Sequence, residues 1–238
     1  MMVCAVGGAV VAGAAPFQLV SLREPALAAP AGGSGESWGP LVTPDGRYIL
    51  FASTANNLVA NSNPMPVIAL PKLNVFLRDW TNGTTALVSV NLSGTGGGNG
   101  DSISTSVSTD GRYALFESSA SDLVAGDTNG VTDIFLRDIW SNTTVLVSVS
   151  TNGGAANGVC RGSTMTPDGR YVAFTSAANN LVADDTNGIP DVFVRDLQSG
   201  VTVLASVGAV ATNPYFPAGS EAPDITPDGR YVAFYTTA

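Results

Sequence analysis

The chain has 238 residues, of which 45% are apolar and 12% charged, with a net charge of −9 and a sequence pI near 4.2. This balance suits one packed domain and excludes a disordered chain, and the acidic charge provides no field to attract nucleic acid or an anionic membrane. Histidine is absent, which removes the usual general base, the Ser-His-Asp relay and the commonest metal ligand, so no catalytic residue is assigned.

The first segment, residues 1–37, supports two readings. Met1 to Ala15 are small and apolar, and Ala26-Leu27-Ala28 has the form of a signal-peptidase site. No positive charge precedes Arg23, however, and glycines at 7, 8 and 13 make a poor membrane helix, so Val3 to Ala12 and Phe17 to Leu22 also read as strands. Cys4 and Cys160 are the only thiols; they permit one disulfide without requiring it and are too few for a zinc set.

Residues 38–238 repeat. Asp-Gly-Arg-Tyr begins at Asp45, Asp110, Asp168 and Asp228, at intervals of 65, 58 and 60 residues, which divides the segment into units 38–102, 103–160, 161–220 and 221–238. A short strand precedes each tetrad: Gly39 to Thr43, Ser104 to Ser108, Ser163 to Thr166 and Ala222 to Thr226. The Pro-Asp-Gly sequences at 44, 167 and 227 fit a tight turn, with Thr109 replacing proline in the second unit. An apolar run follows, at Tyr48 to Phe51, Tyr113 to Phe116, Tyr171 to Phe174 and Tyr231 to Phe234. A β-branched and aromatic block comes next, at Asn74 to Asp79, Asp133 to Asp138 and Asp191 to Asp196. The turn pairs Asn82-Gly83, Ser141-Asn142 and Ser199-Gly200 lead into a last run at Ala86 to Val90, Val145 to Val149 and Val203 to Val207. Four antiparallel strands per unit are the composition of a β-propeller blade, giving an all-β fold of about four blades, three complete. The recurrence of Arg and Asp in every unit points to a structural role for those charges.

The fourth unit stops after its second strand, and Phe17 to Leu22 resembles the last strand of the other units, so the N-terminal segment is a candidate to complete it. The alternative is a piece of a larger ring, in which open edges favour an oligomer.

The connections between second and third strands carry Asp127-Thr-Asn-Gly-Val-Thr-Asp133 and Asp185-Thr-Asn-Gly-Ile-Pro-Asp191. Oxygen ligands alternating around a glycine resemble calcium loops, making Asp127, Asn129, Asp133, Asp185, Asn187 and Asp191 the candidate Ca²⁺ residues. Ala125 and Ala183 stand where further acids are wanted, and the first unit has Asn61-Ser-Asn-Pro64 instead. The competing reading is that the Asx side chains cap the turn. These loops and the Gly/Ser/Asn-rich connections 91–102 and 150–161 are expected on one face, the default surface for a partner. For an enzyme, the candidate carboxylates outside the repeat pattern are Glu36, Asp101, Glu117, Glu221 and Asp224, two of which would have to converge.

The Pro-Asp-Gly turn, the apolar strand ending in Phe and the Val-Phe-Val-Arg-Asp type strand resemble the TolB-like (WD-repeat-like) propeller repeats over residues 38–238. The resemblance implies a binding platform or assembly scaffold, and the expectation is a non-enzymatic propeller acting outside the cytoplasm, extracellular or periplasmic, on a protein, peptide or glycan; the acidic charge argues against a nucleic-acid partner, and no membrane insertion of the mature domain is expected. The alternative it allows is the propeller part of a polysaccharide lyase, a glycosidase or a peptidase.

Overall fold

The computed structural model describes residues 33–59, 71–212, 215 and 217–238. The N-terminal strands or signal proposed for the first segment, and Cys4, therefore lie outside the described residues.

Fourteen strands are present among the described residues. The first unit holds β1 (Ser37–Val42), β2 (Tyr48–Ser53), β3 (Asn74–Asp79) and β4 (Thr84–Leu87). The second holds β5 (Ser102–Val107), β6 (Tyr113–Ser118), β7 (Asp133–Asp138) and β8 (Thr143–Leu146). The third holds β9 (Cys160–Met165), β10 (Tyr171–Ser176), β11 (Asp191–Asp196) and β12 (Val201–Leu204), and the fourth β13 (Ser220–Ile225) and β14 (Val232–Thr236). Each complete unit is a four-stranded antiparallel meander in chain order; the fourth is a two-stranded hairpin. First strands neighbour one another in the succession β1, β5, β9, β13, and each sheet stacks face to face on the next, the radial order of a β-propeller. No comparable packing joins β13 or β14 to β1 or β2 among the described residues.

The turn between the first two strands of each unit has a single chemistry. Thr43 Oγ1 donates to Asp45 Oδ1 at 2.6 Å, which also accepts from Arg47 N, while Gly46 N donates to Thr43 O. Ser108 and Asp110, Thr166 and Asp168, and Thr226 and Asp228 repeat the arrangement. The turn glycine takes positive φ each time, between 70° and 75°. The Tyr48 ring lies against the Gly111 backbone, Tyr113 against Gly169 and Tyr171 against Gly229, so closely that a Cβ on any of these glycines would fall within the ring.

The first strands begin earlier than the sequence reading has them, at Ser37, Ser102, Cys160 and Ser220. A bulge separates the early residues from the rest, with Gly39, Gly162 and Ala222 at positive φ. The extra residue breaks the two-residue alternation by which a strand is recognised. The last strands end earlier than expected, at Leu87, Leu146 and Leu204, because the next serines leave the ladder. Ser89, Ser148 and Ser206 accept through Oγ from Val75, Ile134 and Val192 N, and donate to Asn74, Asp133 and Asp191. A buried side chain thus takes over where backbone pairing stops.

The core lies between the sheets. Phe51 and Phe76, Phe116 and Phe135, and Phe174 and Phe193 are directly opposed across the second and third strands, with ring centroids 5.6–5.9 Å apart. Leu50, Val75, Leu77 and Val88 of the first unit pack on Ala114, Phe116, Leu123 and Phe135 of the second. Leu115, Ile134 and Val147 then pack on Val172, Phe174, Leu181 and Phe193 of the third. A sheet covered on both faces needs no polar alternation in its second strand, hence the apolar runs.

Candidate functional site

The two rims of the stack differ in chemistry. One carries the Asp-Gly-Arg turns. Arg47 reaches Asp79 at 2.9 Å, Arg112 reaches Asp138 at 2.7 Å and Arg170 reaches Asp196 at 2.9 Å. Each pair ties a turn to the end of the third strand of its own unit, rather than neighbouring loops to one another. The Arg112 guanidinium holds the Asp138 carboxyl down to about 2, against the opposing effect of partial burial. Each guanidinium also lies over the adjoining Tyr ring, with 4.7 Å between Arg47 Cζ and the Tyr48 centroid. A cleft of about 620 Å³ opens on this rim between the second and third units, lined by Tyr113, Asp138, Asp168 and Arg170. Those residues recur in every complete unit, and Asp138, Arg170 and Asp168 are already engaged by Arg112, Asp196 and Thr166, so the cleft is a product of stacking and not a distinctive site.

The other rim gathers the connections between second and third strands and those leading into the next unit. Leu92 N donates to Asp122 O at 2.6 Å, and Asn99 N donates to Asp122 Oδ1 at 2.8 Å, binding the first connection to the second unit. Thr151 N to Asn180 O, and Asn157 N to Asn180 Oδ1, repeat the join one unit on. The common face expected of these loops is therefore real, and it is cross-braced. A cleft of about 260 Å³ lies here between the first and second units, lined by Asn56, Lys72, Asn74, Asn91, Asn99 and Asp122 over an apolar floor of Phe76 and Leu87. Several amides, one cation and one carboxylate above buried apolar carbon form the pattern of a small recognition site.

The six candidate calcium residues fall on this rim in two equivalent loops. Asn129 Oδ1 accepts from Val131 N at 3.1 Å, and its Nδ2 donates to Asp133 Oδ2 and to Ala156 O. Asn187 does the same with Ile189 N, Asp191 Oδ2 and Ala209 O. In each loop the asparagine amide thus stands between a carboxylate and a carbonyl, forming an Asx turn and bracing the two loops. Asp127 is buried and its Oδ1 has no hydrogen-bond partner among the described residues. Burial raises Asp127 and Asp185 above the ordinary carboxylate range and lifts Asp133 to about 6. Among the described residues, no group of three or more His, Cys, Asp or Glu is arranged to hold a metal.

The non-repeat carboxylates are spread over the units: Glu36 just before β1, Asp101 just before β5, Glu117 on β6, and Glu221 and Asp224 together on β13. Asp101 Oδ1 accepts from Leu73 N, and Glu221 faces Arg161 at 3.6 Å near the surface. Glu117 is buried between the second and third units, where Ser163 donates to it from both N (2.8 Å) and Oγ (3.0 Å). Burial nevertheless raises its pKa. Cys160 is buried beside Ser176 and has no disulfide partner among the described residues; burial pushes its thiol up to about 12. The cleft residues Lys72, Asn74, Asn91 and Asn99 were not singled out from sequence; the signal lay in the first unit's departure from the Asp-Thr-Asn-Gly loop, which puts Lys72 where the other units have Val131 and Ile189.

No family model and no curated protein matches the chain. Among solved structures it is similar to a protein of Agrobacterium tumefaciens described as a TolB, at 19% identity and a TM-score of 0.47, covering 85% of this chain and 70% of that one. Similarity extends to a prolyl endopeptidase (15%, TM-score 0.47, 81% of this chain and 24% of that one) and to the tricorn protease (14%, TM-score 0.46, 88% and 20%). The chain thus spans only about a fifth to a quarter of these two proteases. No helix among the described residues is long and apolar enough to cross a membrane.

Proposed function

We propose that the chain is a non-enzymatic propeller module of the TolB-like type that acts outside the cytoplasm and binds a protein, peptide or glycan through its loop rim. The observation that carries this reading is the cleft between the first and second units, where Lys72, Asn74 and Asn91, whose matching positions hold other residue types in the second and third units, sit on a frame whose strands repeat. The opposite rim is occupied by ion pairs that recur in each complete unit, which suits a structural task. The catalytic alternative finds no comparable support: Glu117, the one deeply buried candidate acid, is engaged with Ser163.

The test is to screen the 238-residue chain against a printed oligosaccharide array and a combinatorial peptide library. Lys72→Ala is expected to weaken a hit about 10-fold or more with an unchanged melting temperature, removing one polar contact at the cleft. Gln198→Ala, on the opposite rim, is the control and leaves binding intact. Binding lost in the control alone, or release of new reducing ends from the bound glycan, overturns the proposal.

A further inference from the structure

Asp127 is a buried acid with little to hold it. It is 5% exposed, its Oδ1 accepts no hydrogen bond among the described residues, and against the effect of burial only the backbone amide of Asn129 pulls its pKa down. Asp133, six residues on and fully buried, lies close enough for the Asp127 charge to raise its pKa as well. Among the described residues no lysine or arginine bears on either carboxylate. One loop thus buries two acids without a counter-charge, which is costly unless a proton or a cation joins them.

Other oxygens of the loop already face a single point. Asn129 Nδ2 lies within 2.8 Å of both Asp133 Oδ2 and Ala156 O, so a carboxylate and a carbonyl converge where the amide sits. The amide hydrogens there act as the positive group. A half-turn of the Asn129 amide about Cβ–Cγ puts Oδ1 in that place and exchanges the bond from Val131 N for a contact to a cation. With the stranded Asp127 Oδ1, the loop then offers two carboxylates, an amide oxygen and a carbonyl. Such a donor set, completed by water, suits Ca²⁺, which takes about six to eight oxygens in flexible geometry, better than Mg²⁺, which demands a near-ideal octahedron. The third unit repeats the donors with Asn187, Asp191 and Ala209 O, but Asp185 has no such stranded oxygen among the described residues.

We propose that the loop from Asp127 to Asp133 binds Ca²⁺, held by both carboxylates, the Asn129 amide oxygen and the carbonyl of Ala156. The ion neutralises the buried pair. Through Ala156 it also ties the loop to the connection that leads into the third unit, and so stiffens the loop rim whichever partner that rim receives.

Calorimetric titration of CaCl₂ into the chelator-stripped 238-residue chain, with amide exchange followed by mass spectrometry on the same samples, tests this. The expected result is saturable uptake in the range of about 0.1–1 mM found for extracellular modules, with slower exchange in residues 127–133 and 151–157. MgCl₂ at the same concentration produces neither. Asp127→Asn keeps the size of the side chain, removes one charge and weakens uptake about 30-fold or more, while Asn129→Asp adds a charge to the same oxygen set and tightens it. Glu221→Gln, which removes an exposed acid far along the chain, binds as the wild type does. Absence of saturable heat up to about 10 mM CaCl₂ overturns the proposal, as does uptake unchanged by both loop variants or protection confined to other loops.

Discussion

Asp133 is fully buried, with Ser148 and Asn129 donating to its two oxygens, and burial still lifts it from 3.8 to about 6. The folded chain therefore holds this proton more tightly than the unfolded one. Its contribution to stability is complete below about pH 4 and is lost as pH rises through 6, a change on the order of 2–3 kcal/mol. Asp138, held down to about 2, acts in the opposite sense: its contribution is present above its ordinary 3.8 and disappears as pH falls toward 2. Urea midpoints measured against pH should peak in mild acid, and Asp133→Asn should flatten the limb between pH 4 and 7. A limb unchanged in that variant would assign the effect to other groups. Backbone and packing can be separated at the turn glycines. Gly46→Ala should cost about 1–2 kcal/mol for a Cβ in the left-handed region. Gly169→Ala should cost clearly more, because Tyr113 must also move. Equal losses in denaturant titrations would contradict the stacking described for Tyr113.

At the level of strands, the opposed phenylalanines dominate. Phe116→Ala should cost about 3–5 kcal/mol by opening a cavity between two sheets, whereas Phe234→Ala, only half-buried in the terminal hairpin, should cost much less. Arg112→Met should lower the melting temperature only slightly, its partner pair lying near solvent. The same contrast explains what could be read in advance. Strands two and three of each unit were legible because burial on both faces leaves an unbroken apolar run ending in Phe and an Ile/Val-Phe block before Arg-Asp. The first strands were legible only after their bulges, since a residue at positive φ hides the pairing of Ser37 with Ser53. The ends of the last strands were misplaced because Ser89, Ser148 and Ser206 sit in an apolar run yet bond as side chains. Of the candidate site, the shared rim followed from topology. The cleft did not, because Lys72 and Asn99 come to line one space only when two units are stacked.

For the whole molecule, the order of stacking sets the order of local opening. Among the described residues the second and third units are covered on both sides, while β13 and β14 pair only with each other and pack on one neighbouring sheet. Hydrogen exchange on the dilute chain should therefore release the amides of β14 first and those of β6 and β10 last. Uniform exchange across the four units would indicate that they open together. The repeated seat of tyrosine on glycine has one more effect. It recognises a ring and a bare backbone, neither of which says which unit it came from, so a unit bears no mark of its rank. Deleting 103–160 would present Tyr48 to Gly169 in place of Gly111, and duplicating that stretch would insert one more tyrosine with one more glycine to receive it. The architecture can thus lengthen or shorten by whole modules without inventing a new contact, and the same anonymity allows a nascent chain to match the wrong neighbours while it folds.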